Sequence, residues 1–223
     1  MRRRSFALLL ATGALGACTS RSTGRPAVAA TARNAVADDY RWFTMAPDFG
    51  EGYCFTWVRG LVPQQVIKRL DGKELERISW EQLVGSGDGQ QPPSFQYFVG
   101  IARVDDWSLI VEDNGDLGVT DEIVRPLSAG TTVIAHQRGA DGHGRFLQVS
   151  DGAVVLDFDP IAPATVTTEM AAAGFAPGID ADTSMAAAFA LAERLTGEEM
   201  TKLLLITRTY LLTRVRPGSR KNQ

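Results

Sequence analysis

Residues 53–58, Tyr-Cys-Phe-Thr-Trp-Val, constrain the fold more tightly than any other stretch of this chain. Successive side chains of an extended strand point to opposite faces, so Tyr53, Phe55 and Trp57 share one face and Cys54, Thr56 and Val58 the other. Aromatic rings on one side and small, mostly apolar groups on the other leave neither face suited to water. Such a strand belongs inside a sheet with a covering layer on at least one side.

The rest of the chain supplies a sheet and a cover. Residues 98–104 and 107–112 read as strands on either side of Asp105-Asp106, and Asn114-Gly115 marks a further turn. Residues 131–138, 145–150 and 153–158 read as three more strands, with Asp141-Gly142 and Asp151-Gly152 at their turns. Pro63 suits the first turn of a helix, and Val66, Ile67 and Leu70 follow at helical spacing. Ser79-Trp80-Glu81-Gln82 caps a second short helix ending before Gly85, and 85–93 is a polar, glycine-rich loop. Residues 120–127, 167–173 and 184–195 are helical by spacing and composition, whereas 203–215 fits one helix or a helix followed by a strand. The pattern predicts a single α+β domain over 38–223. Its core is an antiparallel, twisted sheet of about five to seven strands with helices packed on one face.

The chain begins differently. Arg2, Arg3 and Arg4 precede residues 6–17, which are apolar and uncharged. A helix needs roughly 20 residues to cross a bilayer core, so this run is too short to be a stable span. A cationic start, a short apolar run and small residues before a cut are the parts of a secretory signal. Leu15-Gly16-Ala17-Cys18 resembles a bacterial lipobox, in which the cysteine becomes the acylated first residue of the mature chain. The resemblance implies a signal peptide at 1–17, lipidation of Cys18 and a location on the extracytoplasmic face of the cell membrane. Arg3-Arg4-Ser5-Phe6 also resembles the twin-arginine export signal, with Ala7 and Leu8 where Leu-Lys is usual. Both that route and the ordinary secretory one therefore stand open. Residues 18–37, rich in Ser, Thr, Ala, Gly and Pro, read as a flexible tether. Arg21, Arg25 and Arg33 would hold it near an anionic membrane by at most about 1 kcal/mol each.

Charge and cysteine count then narrow the function classes. Loss of the first 17 residues would take the formal net charge from −3 to −6. A mildly acidic chain without a concentrated basic face argues against nucleic acid, which selects clustered Lys and Arg. The chain holds two cysteines. With Cys18 lipidated, Cys54 has no intrachain disulfide partner, and its apolar neighbours Tyr53 and Phe55 predict a buried, inert thiol.

Several of these segments, taken together, resemble a bacterial domain family of unknown function. They are Tyr53-Cys54-Phe55-Thr56-x-Val58-Arg59-Gly60-Leu61-x-Pro63, the strand Val99-Gly100-Ile101-Ala102-Arg103-Val104, and Asp106-Trp107. Phe158-Asp159-Pro160 and the run from Ala190 to Gly197 are later landmarks, so the resemblance covers about residues 50–205. Asp116 departs from it, standing where an aromatic is expected after Asn114-Gly115. The resemblance implies no activity, cofactor or site residue.

Catalytic signatures are sparse. His136 and His143 are the only histidines, and a zinc site across a hairpin would need a third ligand of matching geometry. No metal and no cofactor are expected. No Gly-x-Ser-x-Gly elbow and no phosphate loop ending in Lys-Ser or Lys-Thr is present. The glycine-rich run 139–144 lies between strands and reads as a hairpin loop. Carboxylates remain: Asp105, Asp106, Glu112, Asp113, Asp116, Asp121 and Glu122 cluster in sequence, and Asp157 and Asp159 flank Phe158. Acids sharing one face can act as general acid and base when one is desolvated, which makes Asp157, Asp159 and Asp106 the candidate catalytic residues. An Asp turn before Pro160 explains Asp159 without catalysis. Trp42, Trp57, Trp80 and Trp107 either stack on sugars or fill the core, and their apolar segments favour the core.

These features predict a non-catalytic binding domain held at the membrane by a lipid anchor, with an envelope protein or wall component as partner. One alternative is a carboxylate-dependent hydrolase acting on cell-wall material, which requires a cleft lined by two acids. A second is a structural assembly factor of an envelope complex, which predicts an exposed apolar patch around the aromatics Tyr40, Trp42, Phe43 and Phe49.

Overall fold

A computed structural model describes residues 34–44, 52–84 and 96–216 of the chain. The signal peptide at 1–17, its Arg3-Arg4 pair, Cys18, most of the tether, Phe49 and the loop at 85–93 lie outside the described residues. Strand β1 (Tyr53–Arg59) forms where the aromatic alternation places it. It pairs antiparallel with β4 (Trp107–Asp113) on one side and β5 (Thr132–Arg138) on the other. The remaining strands are β2 (Lys73–Ile78), β3 (Tyr97–Val104), β6 (Gly144–Ser150), β7 (Ala153–Phe158) and β8 (Tyr210–Val215). All eight join one sheet in the order β2-β8-β3-β4-β1-β5-β6-β7, antiparallel throughout.

The sheet is thus one strand larger than the upper expectation, and the added strand is β2. Lys-Glu-Leu-Glu-Arg-Ile carries charge at four of its six positions. It is an edge strand, and charge on an edge discourages pairing with foreign strands, so its sequence carries little apolar signal. Residues 203–215 split into helix α7 (Lys202–Thr207) and β8.

The helices cover both faces of the sheet, not one. On the Tyr53-Phe55-Trp57 face lie α1 (Arg41–Thr44), α3 (Trp80–Val84), α5 (Thr168–Ala173), α6 (Ala181–Thr196) and α7. On the Cys54-Val58 face lie α2 (Pro63–Arg69), α4 (Asp121–Leu127) and the 3-10 turn Leu117–Val119. The physical reason lies in the strands. Ile101 and Ile110 point one way while Ala102 and Leu109 point the other, and all four are buried. A sheet that is apolar on both sides needs two covers.

Helix α6 is the centre of the first layer. The Asp180 side chain accepts from the Thr183 N–H at 2.9 Å to cap its start, and Gly197 ends it in the left-handed conformation at φ 79°. Residues 184–193 of α6 are buried without a break. Alanines at 186, 187, 188, 190 and 192 let the sheet approach on one side and the 3-10 turn Ala37–Tyr40 on the other. That turn moves the start of the packed chain inward of the expected tether boundary. Ala35 and Ala37 are buried, and a Cβ on Gly174 would meet Ala37 Cβ at 2.9 Å. Tyr40 and Phe43 are buried too, with Trp42 half-buried beside them. Of the apolar patch expected there, Tyr40 and Phe43 are core: Tyr40 stacks on Phe189 of α6 and Phe43 meets it at a tilt. No helix among the described residues is long and apolar enough to cross a membrane.

Candidate functional site

Asp106 does not meet Asp157 and Asp159, the other two acids singled out in the sequence. Asp106 lies in the turn between β3 and β4, 3.8 Å from Arg59 Nε and 3.6 Å from Arg103 Nη2. Asp157 lies on β7, four strand spacings from β4, which is roughly 19 Å across the sheet. Glycosidase acid pairs stand about 5–9.5 Å apart, so these two cannot flank one bond. Asp157 is also committed elsewhere. It accepts from Arg145 Nε at 2.8 Å and Nη2 at 2.7 Å, a bidentate pair. The same guanidinium reaches Asp121 on α4 at 2.8 Å, and Arg125 Nε donates to Asp121 at 3.0 Å. These hydrogen bonds raise the Arg145 guanidinium above its ordinary proton affinity, Asp157 contributing most, and hold Asp121 below the usual carboxylate range, Arg125 contributing most. The group ties β6 and β7 to α4. Asp159 falls just past the end of β7. Its Oδ1 accepts from the Ile161 N–H at 2.9 Å, which is the turn before Pro160, and its Oδ2 lies 3.5 Å from His143 Nδ1.

The strongly shifted groups sit elsewhere, inside the domain. Cys54 and Glu112 are register partners on β1 and β4 and point into the layer beneath α4. The Glu112 carboxyl accepts from the backbone N–H of Leu117 at 3.2 Å and of Gly118 at 3.4 Å. Those bonds favour the charged form, but burial outweighs them and pushes Glu112 up to about 8. Glu112 is therefore largely a neutral acid at neutral pH. Burial first, and Glu112 second, push the Cys54 thiol up as well, so it is inert as expected. The 3-10 turn closes this pocket with no room to spare. A Cβ on Gly115 would overlap Glu112 Oε2, and one on Gly118 would overlap Thr56 Oγ1.

The opposite face buries His136. It lies across the β1–β5 ladder from Phe55, and its Nε2 stands 2.9 Å from the Tyr53 hydroxyl. Phe189 meets the imidazole edge to face at 4.6 Å, and the Met185 backbone lies against it. Burial drives His136 down to about 3 and the Tyr53 phenol well above its ordinary value. His143 is exposed on the hairpin loop, so the two histidines do not share a site. Among the described residues no three His, Cys, Asp or Glu side chains come together to hold a metal ion. Nearby, the Tyr40 hydroxyl donates to Glu193 Oε2 at 2.7 Å and accepts from the Met200 N–H at 3.1 Å. Trp57, Trp80 and Trp107 are buried core residues, and Trp107 Nε1 donates to the Thr196 carbonyl to pin the end of α6.

Among the described residues, Glu198 is a strongly shifted carboxyl near the surface. Burial first, then the Asp105 carboxylate beside it, raise it to about 7. Glu112, His136 and Glu198 are what sequence reasoning passed over. A period-2 reading of β4 was the available signal for Glu112, since Ser108, Ile110 and Glu112 share one face. Chemically, burial shifts the interior groups toward their neutral forms, while Asp106 and Asp157 at the surface pair with arginines and Asp159 closes a turn beside His143.

Comparison with known proteins adds one match. The model of a family of unknown function, DUF6461, matches residues 33–219. No curated protein and no solved structure matches the chain.

Proposed function

The chain belongs to DUF6461, a family of unknown function, and from that premise we propose that it is a lipid-anchored, extracytoplasmic, non-catalytic interaction domain. Its partner is an envelope protein, such as an effector it neutralises, or a component of the wall. The observation that carries the reading is Leu15-Gly16-Ala17-Cys18 after a cationic start and a short apolar run, close ahead of a domain whose packing begins at Ala35. Acylation at Cys18 would leave 16 residues of tether before Ala35. The non-catalytic part rests on the ion pairs. Asp106 and Asp157 are each held by arginine and stand on separate parts of the sheet, which weighs against the hydrolase alternative. Burial of Tyr40 and Phe43 removes the patch that favoured an assembly factor.

Lipid labelling with membrane fractionation tests the anchor. The natural chain is expected to carry label and sediment with membranes, and Cys18→Ala is expected to lose both. A natural chain that carries no label and stays soluble with residues 1–17 intact would remove the foundation of this proposal.

A further inference from the structure

The β2 edge of the sheet places like charges face to face. Lys73 on β2 is the register partner of Arg214 on β8, and Arg214 is in turn the partner of Phe98 on β3. Directly opposed residues of antiparallel strands point to the same face, so the three form a row across the edge of the sheet. Arg216, one residue past the end of β8, lines the same hollow. Lys73, Arg214, Arg216 and Asp71 line an open hollow of about 220 Å³. Phe98 beside it is 41% exposed.

Like charges opposed across a ladder destabilise the pair. Elsewhere on this surface Arg41, Arg59, Arg103, Arg125, Arg145 and Arg194 each make an ion pair with an acid, whereas Arg69, Arg77, Arg138 and Arg208 make none among the described residues but are not drawn together in one hollow. Among the described residues no such ion pair joins Lys73, Arg214 or Arg216 to a carboxylate, although Asp71 stands on the rim. A triply cationic hollow in a chain of net charge −3 is a local reversal of the average. Two guanidiniums offer planar forks of donors and the lysine a mobile point charge, the combination that suits a tetrahedral oxyanion.

We propose that Lys73, Arg214 and Arg216 form a binding site for a phosphate group at the β2–β8 edge. A bound dianion turns the repulsion between Lys73 and Arg214 into two attractions, and Phe98 supplies an apolar border beside it. Asp71 opposes the anion and limits its affinity. The phosphate is either free or carried by an anionic lipid head group. The site does not depend on acylation of Cys18.

The test uses the full chain carrying Cys18→Ala, so that no acyl chain contributes to binding. Inorganic phosphate is titrated by calorimetry and by thermal melting, and flotation is measured with vesicles of phosphatidylglycerol and of phosphatidylcholine. Phosphate is expected to raise the melting temperature. Lys73→Gln and Arg214→Gln should each weaken phosphate by about tenfold. Asp71→Asn should tighten it. In the absence of phosphate, Lys73→Gln should melt no lower than its parent, because it removes a repulsion; a residue that only holds the edge together would lower it. Flotation with phosphatidylglycerol alone, competed by phosphate, identifies a lipid head group, and phosphate binding without flotation identifies the free anion. The proposal is overturned if neither probe binds, or if phosphate binds Lys73→Gln as tightly as the parent. Lys73 is exposed, so that variant keeps the test open even if Arg214→Gln fails to fold.

Discussion

The face of the sheet beneath α6 is aromatic, and the face beneath α4 is aliphatic. On the first, Phe43, Tyr53, Phe55 and Phe189 meet with ring centroids 4.3–5.7 Å apart. On the second, Val58, Ile101, Ile110, Val133 and Val149 form one cluster with Val66 and Ile67 of α2 and Val124 and Leu127 of α4. On each face burial shifts an ionisable side chain toward its neutral form, His136 under the rings and Glu112 under the 3-10 turn. Desolvation is the largest cause of both shifts, because it always disfavours the charged form: it lowers a base and raises an acid. The contrast shows why strongly shifted groups need not mark an active site. Here they are the polar members of two cores, and each is tied to neighbours that a strand register or a tight turn puts in place.

The comparison can be broken by substitution. Phe189→Ala removes the ring on which the aromatic layer converges and should cost about 3–5 kcal/mol in denaturant unfolding. Leu127→Ala on the aliphatic side should cost less, within the range of about 2–5 kcal/mol for such truncations. A reversed order would show that α4, not α6, anchors the domain. Gly118→Ala should cost about 1–3 kcal/mol through overlap with Thr56, and adding Thr56→Ala should recover part of it. A neutral Gly118→Ala would mean that the turn is not seated on Glu112. The smallest effect belongs to the surface: Asp157→Asn should cost under about 1 kcal/mol, and less in high salt.

The two buried groups also give the pH dependence opposite signs. His136 binds its proton more weakly in the folded chain, with a folded value of about 3 against roughly 6.5 unfolded. Its contribution is complete above that unfolded value and is lost as pH falls toward 3. Glu112 binds its proton more tightly in the folded chain, about 8 against roughly 4.3 unfolded. Its cost is absent below the unfolded value and grows as pH rises toward 8. His136→Phe should therefore flatten the acid limb of a stability profile and leave the alkaline limb unchanged.

Much of this architecture was legible in the sequence, and the failures have physical causes. The alternation at 53–58 located the central strand and implied a cover. Asp-Gly and Asn-Gly steps located the turns, where Asn114 and Asp151 adopt positive φ. The edge strand β2 was missed because its charges serve the edge rather than the core. Helices α2 and α4 were both read from the sequence, but their place on the second face was not, because two seven-residue helices with short apolar stripes do not say which side of the sheet they cover. Glu112 was grouped with the acids around it, which are surface residues. Adjacency in sequence outweighed the strand period that turns Glu112 inward and Asp113 outward. Asp157 and Asp159 were read as sharing one strand face, but β7 ends at Phe158, so Asp159 lies outside the strand.

The most direct test of the view that these shifted groups are architecture is urea unfolding of the natural chain and of Glu112→Gln between pH 6.5 and 8. Glutamine keeps the shape and the acceptor of the neutral carboxyl but cannot ionise. The account predicts that the natural chain loses stability relative to Glu112→Gln by up to about 1.4 kcal/mol per pH unit across that window. Parallel profiles for the two chains would contradict it, because Glu112 would then already be charged in the folded domain.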